Sequence, residues 1–550
     1  MMASSLLSVI ALATTQPKVI DLRHASSADR VAVLTCSGLA NRAGSTAQPA
    51  FTLLSDEDEQ WLADIDNITD PVLTQIDTFI ADCLRTIAHG IVLYNGTLQQ
   101  ALIPNVITVA AVLDAVPLQS LPKTGAPVVF NASHSWSGYT ALDATRWVYE
   151  HHVNATTGLA KTNPGLLVHD HPWSLHPPLG APPTWGLTDF IVKNKLFNFF
   201  LANGCLPGTD EHAFMLRMLT SNPWAHPIAV WGYDDTHPIA GDPFEAETTC
   251  VEGAPVGMGQ IASNGVNNLA YFSRTPPIDE PIAQPPPPPI PTYNASTTYV
   301  SLIIGDGDNL AFVKGSRRAW FLDRSKRCAP PATPTGECMP LAWTMSPHTL
   351  YAAPGLFEWY AARARATGRD WLILPPSGHL YAYPSLLPPA DQATFVALTE
   401  RDCWLMNTSG SVTWEMVGTW PAAIEHFYPR YVSRGITRGL FAVQVPYMLP
   451  VLAFGRDEQY KLLGMGDAST VAIFRPREWR GGSGAGSFER TAKQMASELS
   501  NAPRGSVIAI YTTSDGGFKP QLLYDMVSLL APHVEVVDTE ALVAMAVERG

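Results

Sequence analysis

Charge is scarce in this chain. Only 15% of its 550 residues are Asp, Glu, Lys or Arg, and 49 acidic against 35 basic residues leave a net charge of −14. Nothing forms a basic stripe for a phosphate backbone, so nucleic acid is not an expected partner. Past the first residues no apolar run approaches the roughly 20 residues that cross a bilayer, and no membrane span is expected. Cysteine is sparse as well. The 7 present are too few for a disulfide-built scaffold, none has the spacing of a zinc knuckle, and a catalytic cysteine is disfavoured. A nucleophile elbow, a zincin helix and a dinucleotide fingerprint are missing, and neither an organic cofactor nor a metal is expected.

What is present is apolar bulk, 46% of the residues, enough for two to four domains. Met1 to Ser5 and the run Leu6 to Ala13 end in Ala11-Leu-Ala13, a small-residue cleavage pattern, though no Lys or Arg precedes it. Residues 1–16 therefore read as a signal peptide. Asn-x-Ser/Thr sequons at Asn67, Asn95, Asn131, Asn154, Asn294 and Asn407 agree with a secreted or lysosomal glycoprotein. Cys328 and Cys338 bracket a Pro-rich loop and are expected to be bridged. Cys205 and Cys250 form a candidate second bridge, while Cys36, Cys83 and Cys403 sit in apolar segments and read as buried thiols.

Pro276 to Tyr293, with five consecutive prolines at Pro285 to Pro289, reads as a stiff strap. Before it, strand-like runs lie at Val31–Thr35, Gly90–Tyr94, Val106–Val112, Pro127–Phe130, Leu196–Phe200, His226–Trp231 and Asn268–Phe272, several alternating with helical stretches as in α/β folds. The expected divisions are an α/β domain over 17–120, a linking or second small domain over 121–185 and an α/β domain over 186–275. The strap, 276–293, then leads to a barrel domain over 294–550. In that last part apolar runs recur at Tyr299–Ile304, Leu341–Thr344, Trp371–Leu374, Cys403–Met406, Gly439–Val443, Thr470–Phe474, Val507–Tyr511 and Val534–Val537. Eight runs with helical spacers such as Gly355–Thr367 and Phe488–Leu499 give the count of a (β/α)8 barrel, distorted or incomplete where spacers are short.

In such a barrel the site lies just after each strand. Those positions hold Asp306, Asp308 and Asn309; Trp343 and Ser346; Ser377, His379, Tyr381 and Tyr383; Trp414 and Glu415; Gln444; Arg475; Ser514 and Asp515. Carboxylates from three loops are thus candidates to converge. Glycoside hydrolysis needs two carboxyl groups in different protonation states, with Asp308 or Asp306 as nucleophile or base and Glu415 or Asp515 as acid. Trp343, Tyr381, Tyr383 and Trp414 are candidate sugar platforms, with Asn309, His379, Gln444 and Arg475 as polar contacts. Each has a plainer reading: Gly-Asp-Gly-Asp-Asn as a capped turn or calcium loop, Glu415 as a surface or cap residue, Ser-Asp-Gly-Gly at 514–517 as a turn, the tyrosines as core. Val168-His-Asp-His171 with Trp173 and His176 is too weak for a metal site, and Gly481 to Gly486 reads as a flexible lid.

Three ordered tracts, Gly305-Asp-Gly-Asp-Asn309, Leu341-Ala-Trp-Thr-Met-Ser-Pro347 and Ser377-Gly-His-Leu-Tyr-Ala-Tyr-Pro384, resemble the hallmarks of the GxGYxYP proteins, a group described as glycoside hydrolases with N-terminal α/β domains and a C-terminal barrel-like domain. The resemblance extends upstream through Asp189 to Asn198, covering most of 185–525. The naming motif departs at Leu380, where the family has its second Gly, and a left-handed backbone there would be strained. The resemblance implies a hydrolase acting on an oligosaccharide or polysaccharide. A non-catalytic carbohydrate-binding or cell-surface protein is the alternative, and a metal-assisted hydrolase using Asp306, Asp308 and Asp515 is the third reading.

Overall fold

A computed structural model describes residues 16–95, 100–154, 156, 161–163, 165, 167–169, 186–204, 206–232, 252–263, 266–286, 289–329, 337–445, 453–455, 457–464, 469–480, 489–512 and 518–550. The first half holds three small parallel sheets. Strands β1 (Lys18–Asp21) and β2 (Ala50–Leu53) pair, β3 (Gly90–Leu93) lies between β4 (Ala115–Leu118) and β5 (Val128–Asn131), and β6 (Leu167–His169), β7 (Phe197–Phe199), β8 (Ile228–Gly232) and β9 (Met258–Ile261) run in the order β7-β6-β8-β9.

Several apolar runs that read as strands are helices. Val31–Thr35 lies inside the helix Ser27–Ala40, in which every residue from Arg30 to Ala40 is buried, and Val106–Val112 lies inside Ile103–Leu113, buried from Ile103 to Val112. A helix packed on all sides has no polar face to reveal its period, so its run looks like that of a buried strand. Asn268–Phe272 caps and forms the short helix Leu269–Phe272, and Cys403–Met406 is the end of the helix Pro389–Met406.

Cysteine chemistry also differs from the expectation of thiols. Cys36 and Cys83 form a disulfide that ties the helix Ser27–Ala40 to Ile76–Thr86. Cys328 and Cys338 form another, and Cys403 is a buried thiol beside the Thr437 hydroxyl. Cys205 and Cys250 lie outside the described residues.

The proline-rich segment lies along the second half. Ile278 donates to the Leu350 carbonyl at 2.8 Å and Ile282 to that of Leu405 at 2.9 Å. The Gln284 amide donates to the carbonyls of Leu372 and Met406 at 2.6 and 2.9 Å and accepts from the Leu372 amide at 2.9 Å. The segment is therefore a seam, held by bonds to three elements.

The described residues of the second half hold ten strands: β10 (Thr298–Ile304), β11 (Leu341–Thr344), β12 (Asp370–Ile373), β13 (Gly410–Met416), β14 (Gly439–Val445), β15 (Tyr460–Leu463), β16 (Val471–Phe474), β17 (Arg477–Trp479), β18 (Val507–Thr512) and β19 (Val534–Val536). One sheet has the order β12-β11-β10-β18-β17 with β19 also on β10, and the other the order β13-β14-β16-β15. Every pairing is parallel except β15 with β16. A single parallel bridge, Leu374 to Ser411, joins the sheets. Alternate residues of both, among them Ile303, Val412, Phe441, Phe474 and Ala509, share one buried cluster with Leu542 and Met545 of the helix Thr539–Arg549. Of the expected (β/α)8-like, distorted or incomplete barrel, the described residues show two bridged sheets around a common interior, with no sheet closed into a barrel. The expected fourth strand is β13, whose polar Thr413 and Glu415 alternate with inward Val412 and Trp414.

No described helix is long and apolar enough to cross a membrane.

Candidate functional site

The carboxyl ends of β10, β11 and β12 lie side by side at a narrow cleft with a cavity volume of about 10 Å³. Asp308, Ser346 to His348, Pro375, Pro376 and Gly378 to Tyr381 form one wall, and Gln260 to Ala262 at the end of β9 form the other. This is the edge at which parallel sheets hold ligands.

Close packing explains the Gly-Asp-Gly-Asp turn. A Cβ on Gly307 would meet the Thr344 carbonyl oxygen at 1.8 Å, so no other residue brings the turn this near β11. Gly307 donates to Thr344 Oγ1 at 2.9 Å and accepts from the Ser346 amide at 2.6 Å. Asp306 adopts the left-handed region, φ 59°, a conformation Asp tolerates. Its amide donates to the Tyr511 hydroxyl at 3.3 Å. Behind the turn lies Arg317, fully buried, donating to the carbonyls of Gly305 and Thr344. Burial lowers the pKa of this guanidinium, and the nearby charges of Asp306 and Asp308 oppose that shift.

The third tract folds back from β12. Gly378 has φ 99°, and a Cβ there would meet the Thr399 side chain at 2.6 Å. Leu380 stays out of the left-handed region and is buried against Gly259, so its Cβ raises no backbone strain. Tyr381 then pairs with Gln260, and His379 is held through its ring: Nδ1 lies 2.7 Å from Asp402 Oδ2. The His379 carbonyl lies 2.7 Å from His348 Nε2, and His348 Nδ1 lies 2.6 Å from the Tyr351 hydroxyl. Burial, then the neighbouring His379, pulls the His348 pKa well below its usual value.

Of the residues singled out from the sequence, the cleft brings together Asp308, Ser346, His379 and Tyr381. Asp306 is half-buried at the same turn, and Asn309 caps the helix Leu310–Lys314 by accepting from the Ala311 amide at 2.9 Å. Trp343 is not a sugar platform. It faces the helical layer, fully buried, and its indole N–H donates to Asp370 at 2.8 Å. Trp414 and Tyr383 belong to the interior cluster, and Trp414 packs edge-on against Tyr381 with ring centroids 4.7 Å apart. Buried rings cannot form an open platform, so these two are corrected to core.

Glu415 is also displaced from its expected place. It is a strand residue pointing away from Trp414, fully buried, with oxygens accepting from the Ser385 amide at 3.0 Å and hydroxyl at 2.5 Å, and from Thr419 at 3.3 Å and Tyr428 at 3.4 Å. Burial pushes its pKa up to about 7 against those bonds. It lies outside the cleft lining. Gln444 is its register partner on β14 and is likewise buried. Arg475 follows β16 and donates to the Gly455 carbonyl at 3.1 Å, away from the cleft. Ser514 and Asp515 lie outside the described residues, as do His171, Trp173, His176 and the glycine run 481–486. Among the described residues no group of three or more His, Cys, Asp or Glu is placed to hold a metal ion. Of the sequon residues, Asn67, Asn95, Asn294 and Asn407 are exposed and Asn131 and Asn154 half-buried.

Sequence reasoning missed Gln260, His348 and Asp402. His348 follows Ser346-Pro347 directly and was within reach of the strand-end argument. Asp402 is a helix residue 23 positions from His379, and nothing local marks it.

Comparison with known proteins bears on this geometry. Residues 296–432, which contain the β10, β11 and β12 turns, match the family model described as "GxGYxYP putative glycoside hydrolase C-terminal domain". No curated protein matches the chain. A crystal structure described as a "putative hydrolase" from Bacteroides thetaiotaomicron VPI-5482 superposes with a TM-score of 0.73 at 15% identity, over 97% of this chain and 95% of that one, which shows a shared fold. A 4-alpha-glucanotransferase from Thermococcus litoralis, with a TM-score of 0.29 and 10% identity over 45% of this chain and 40% of that one, is too dissimilar to inform the argument. The chain is thus a multidomain α/β protein whose residues 296–432 form a domain of the family described as "GxGYxYP putative glycoside hydrolase C-terminal domain".

Proposed function

We propose that this protein is a glycoside hydrolase acting on an extracellular or lysosomal glycan in the cleft at the ends of β10, β11 and β12. The observation that carries the reading is Asp308, a carboxylate on the cleft wall of a glycoside-hydrolase-family domain. Asp308 serves as the nucleophile or as the base that activates water, with Asp306 beside it on the same turn. Two disulfides support an oxidising compartment.

The test is turnover of a panel of aryl glycosides, oligosaccharides and polysaccharides by the full chain, read as released aglycone or reducing ends. Asp308→Asn should lose about 10³-fold in kcat while keeping the wild-type unfolding transition, and a chelator should leave the wild-type rate unchanged. Glycan binding without turnover, or an active Asp308→Asn variant, would overturn the reading.

A further inference from the structure

Glu415 lies outside the cleft lining, and Asp515, the other acid expected from the sequence, lies outside the described residues. We propose that His379, positioned by Asp402, is the proton-transferring catalytic residue of the cleft that Asp308 also lines. The inference rests on the hydrolase reading above.

Hydrogen-bond roles fix the ring states. A carboxylate only accepts, so at 2.7 Å from Asp402 the His379 Nδ1 carries the proton. The remaining nitrogen, Nε2, hydrogen-bonds no described residue, and the ring lines the cleft with 19% of its side chain exposed. The backbone is fixed as firmly. Its amide donates to Thr399 Oγ1 at 3.2 Å, and its carbonyl, also acceptor-only, takes the Nε2 proton of His348 at 2.7 Å. His348, buried and neutral, then accepts from Tyr351 at Nδ1. Thus one histidine is locked in a single neutral form while its neighbour, with ring centroids 5.1 Å apart, keeps a nitrogen for chemistry. Among the described residues, the ionisable groups near the His379 ring are Asp402, His348 and Tyr351, with Asp308 and Tyr381 in the same cleft lining.

In the step, Nε2–H of the imidazolium gives its proton to the glycosidic oxygen as the C1–O bond breaks and its electron pair passes to that oxygen. A water forms the new C1–O bond and gives a proton to the Asp308 carboxylate, which releases it to solvent while solvent reprotonates His379; or Asp308 attacks first to form a glycosyl ester, and water then cleaves it and gives its proton back to His379 Nε2. Asp402 stabilises the imidazolium and holds the ring in place.

The experiment compares paired substrates in wild type, His379→Gln, Asp402→Asn and Asp308→Asn. One substrate of each pair has a leaving group that needs a proton, and the other is a 2,4-dinitrophenyl glycoside that does not. His379→Gln should lose about 10²- to 10⁴-fold on the first and within about tenfold on the second. Asp402→Asn should show a smaller loss with the same selectivity, carried by kcat while KM stays at the wild-type value. Equal losses on both substrates in His379→Gln, or a loss carried by KM in Asp402→Asn, overturn the pair alone. A wild type inert on every glycoside, or an active Asp308→Asn, removes the parent reading and the catalytic role with it.

Discussion

Gln260 and Tyr381 pair as antiparallel strand residues, each amide donating to the other's carbonyl at 2.9 Å. The bond pair joins the last strand of a first-half sheet to the tract that carries His379, so the cleft has walls from both halves of the chain.

Close contact beside that pair sets a measurable constraint. A Cβ on Gly259 would meet Leu380 Cβ at 2.9 Å and Cδ1 at 3.0 Å. Gly259→Ala should destabilise the protein by about 1–3 kcal/mol through overpacking. Adding Leu380→Ala should recover part of that loss, and urea unfolding of the four proteins of the cycle would reveal the coupling.

The corrected place of Trp343 predicts a stability phenotype without loss of sugar contact. Asp370, fully buried, accepts from Trp343 and from Arg324 Nε at 3.0 and 3.1 Å. Asp370→Ala strands the buried Arg324 charge and should cost about 3–5 kcal/mol. Trp343→Phe should lower the melting temperature while KM stays at the wild-type value.

Glu415 predicts the sign of a pH effect. Its folded pKa of about 7 lies above the ordinary 4.5, so the native state binds the extra proton between those values. Its contribution to stability falls as pH rises from about 4.5 through about 7, by up to about 3 kcal/mol. Asp189, also raised to about 7 by burial, acts in the same direction. The stability of Glu415→Gln relative to wild type should therefore improve steadily from pH 5 to pH 8 in denaturant titrations. A constant difference across that range would show that the carboxyl is not protonated in the fold.

The two disulfides should differ in worth. Chain entropy makes the bridge spanning 47 residues, Cys36–Cys83, worth about 4 kcal/mol and the one spanning 10 residues, Cys328–Cys338, about 2.7 kcal/mol. Paired Cys→Ser variants compared by thermal unfolding should rank in that order.

The legible parts of this fold were those whose signal is local. Leu341–Thr344 is a strand over the range its apolar run suggests, and β10 and β18 follow from Tyr299–Ile304 and Val507–Tyr511. At the site, Asp308, His379 and Tyr381 stand just after strands, where a parallel sheet places its ligands. What stayed hidden depends on packing. Cys36 and Cys83 lie on helices that meet only in the folded chain, and Trp343 and Trp414 look alike in sequence yet face opposite sides of their sheets. Glu415 read as a loop residue because the strand was placed at Cys403–Met406, one element too early.

The pairing of β10 bears on how the polypeptide is made. Tyr299 lies in register with Val507 on one side and Glu535 on the other. At about 5–20 residues per second, translation brings the first of these partners on the order of ten to forty seconds after Tyr299 itself. During that interval the segment Thr-Tyr-Val-Ser-Leu-Ile-Ile is on the ribosome without its main neighbours, a short, uncharged, strand-forming stretch of the kind that nucleates aggregates. Yield in a heterologous host should depend on chaperones that shelter nascent strands, and slower elongation should help only upstream of Thr298.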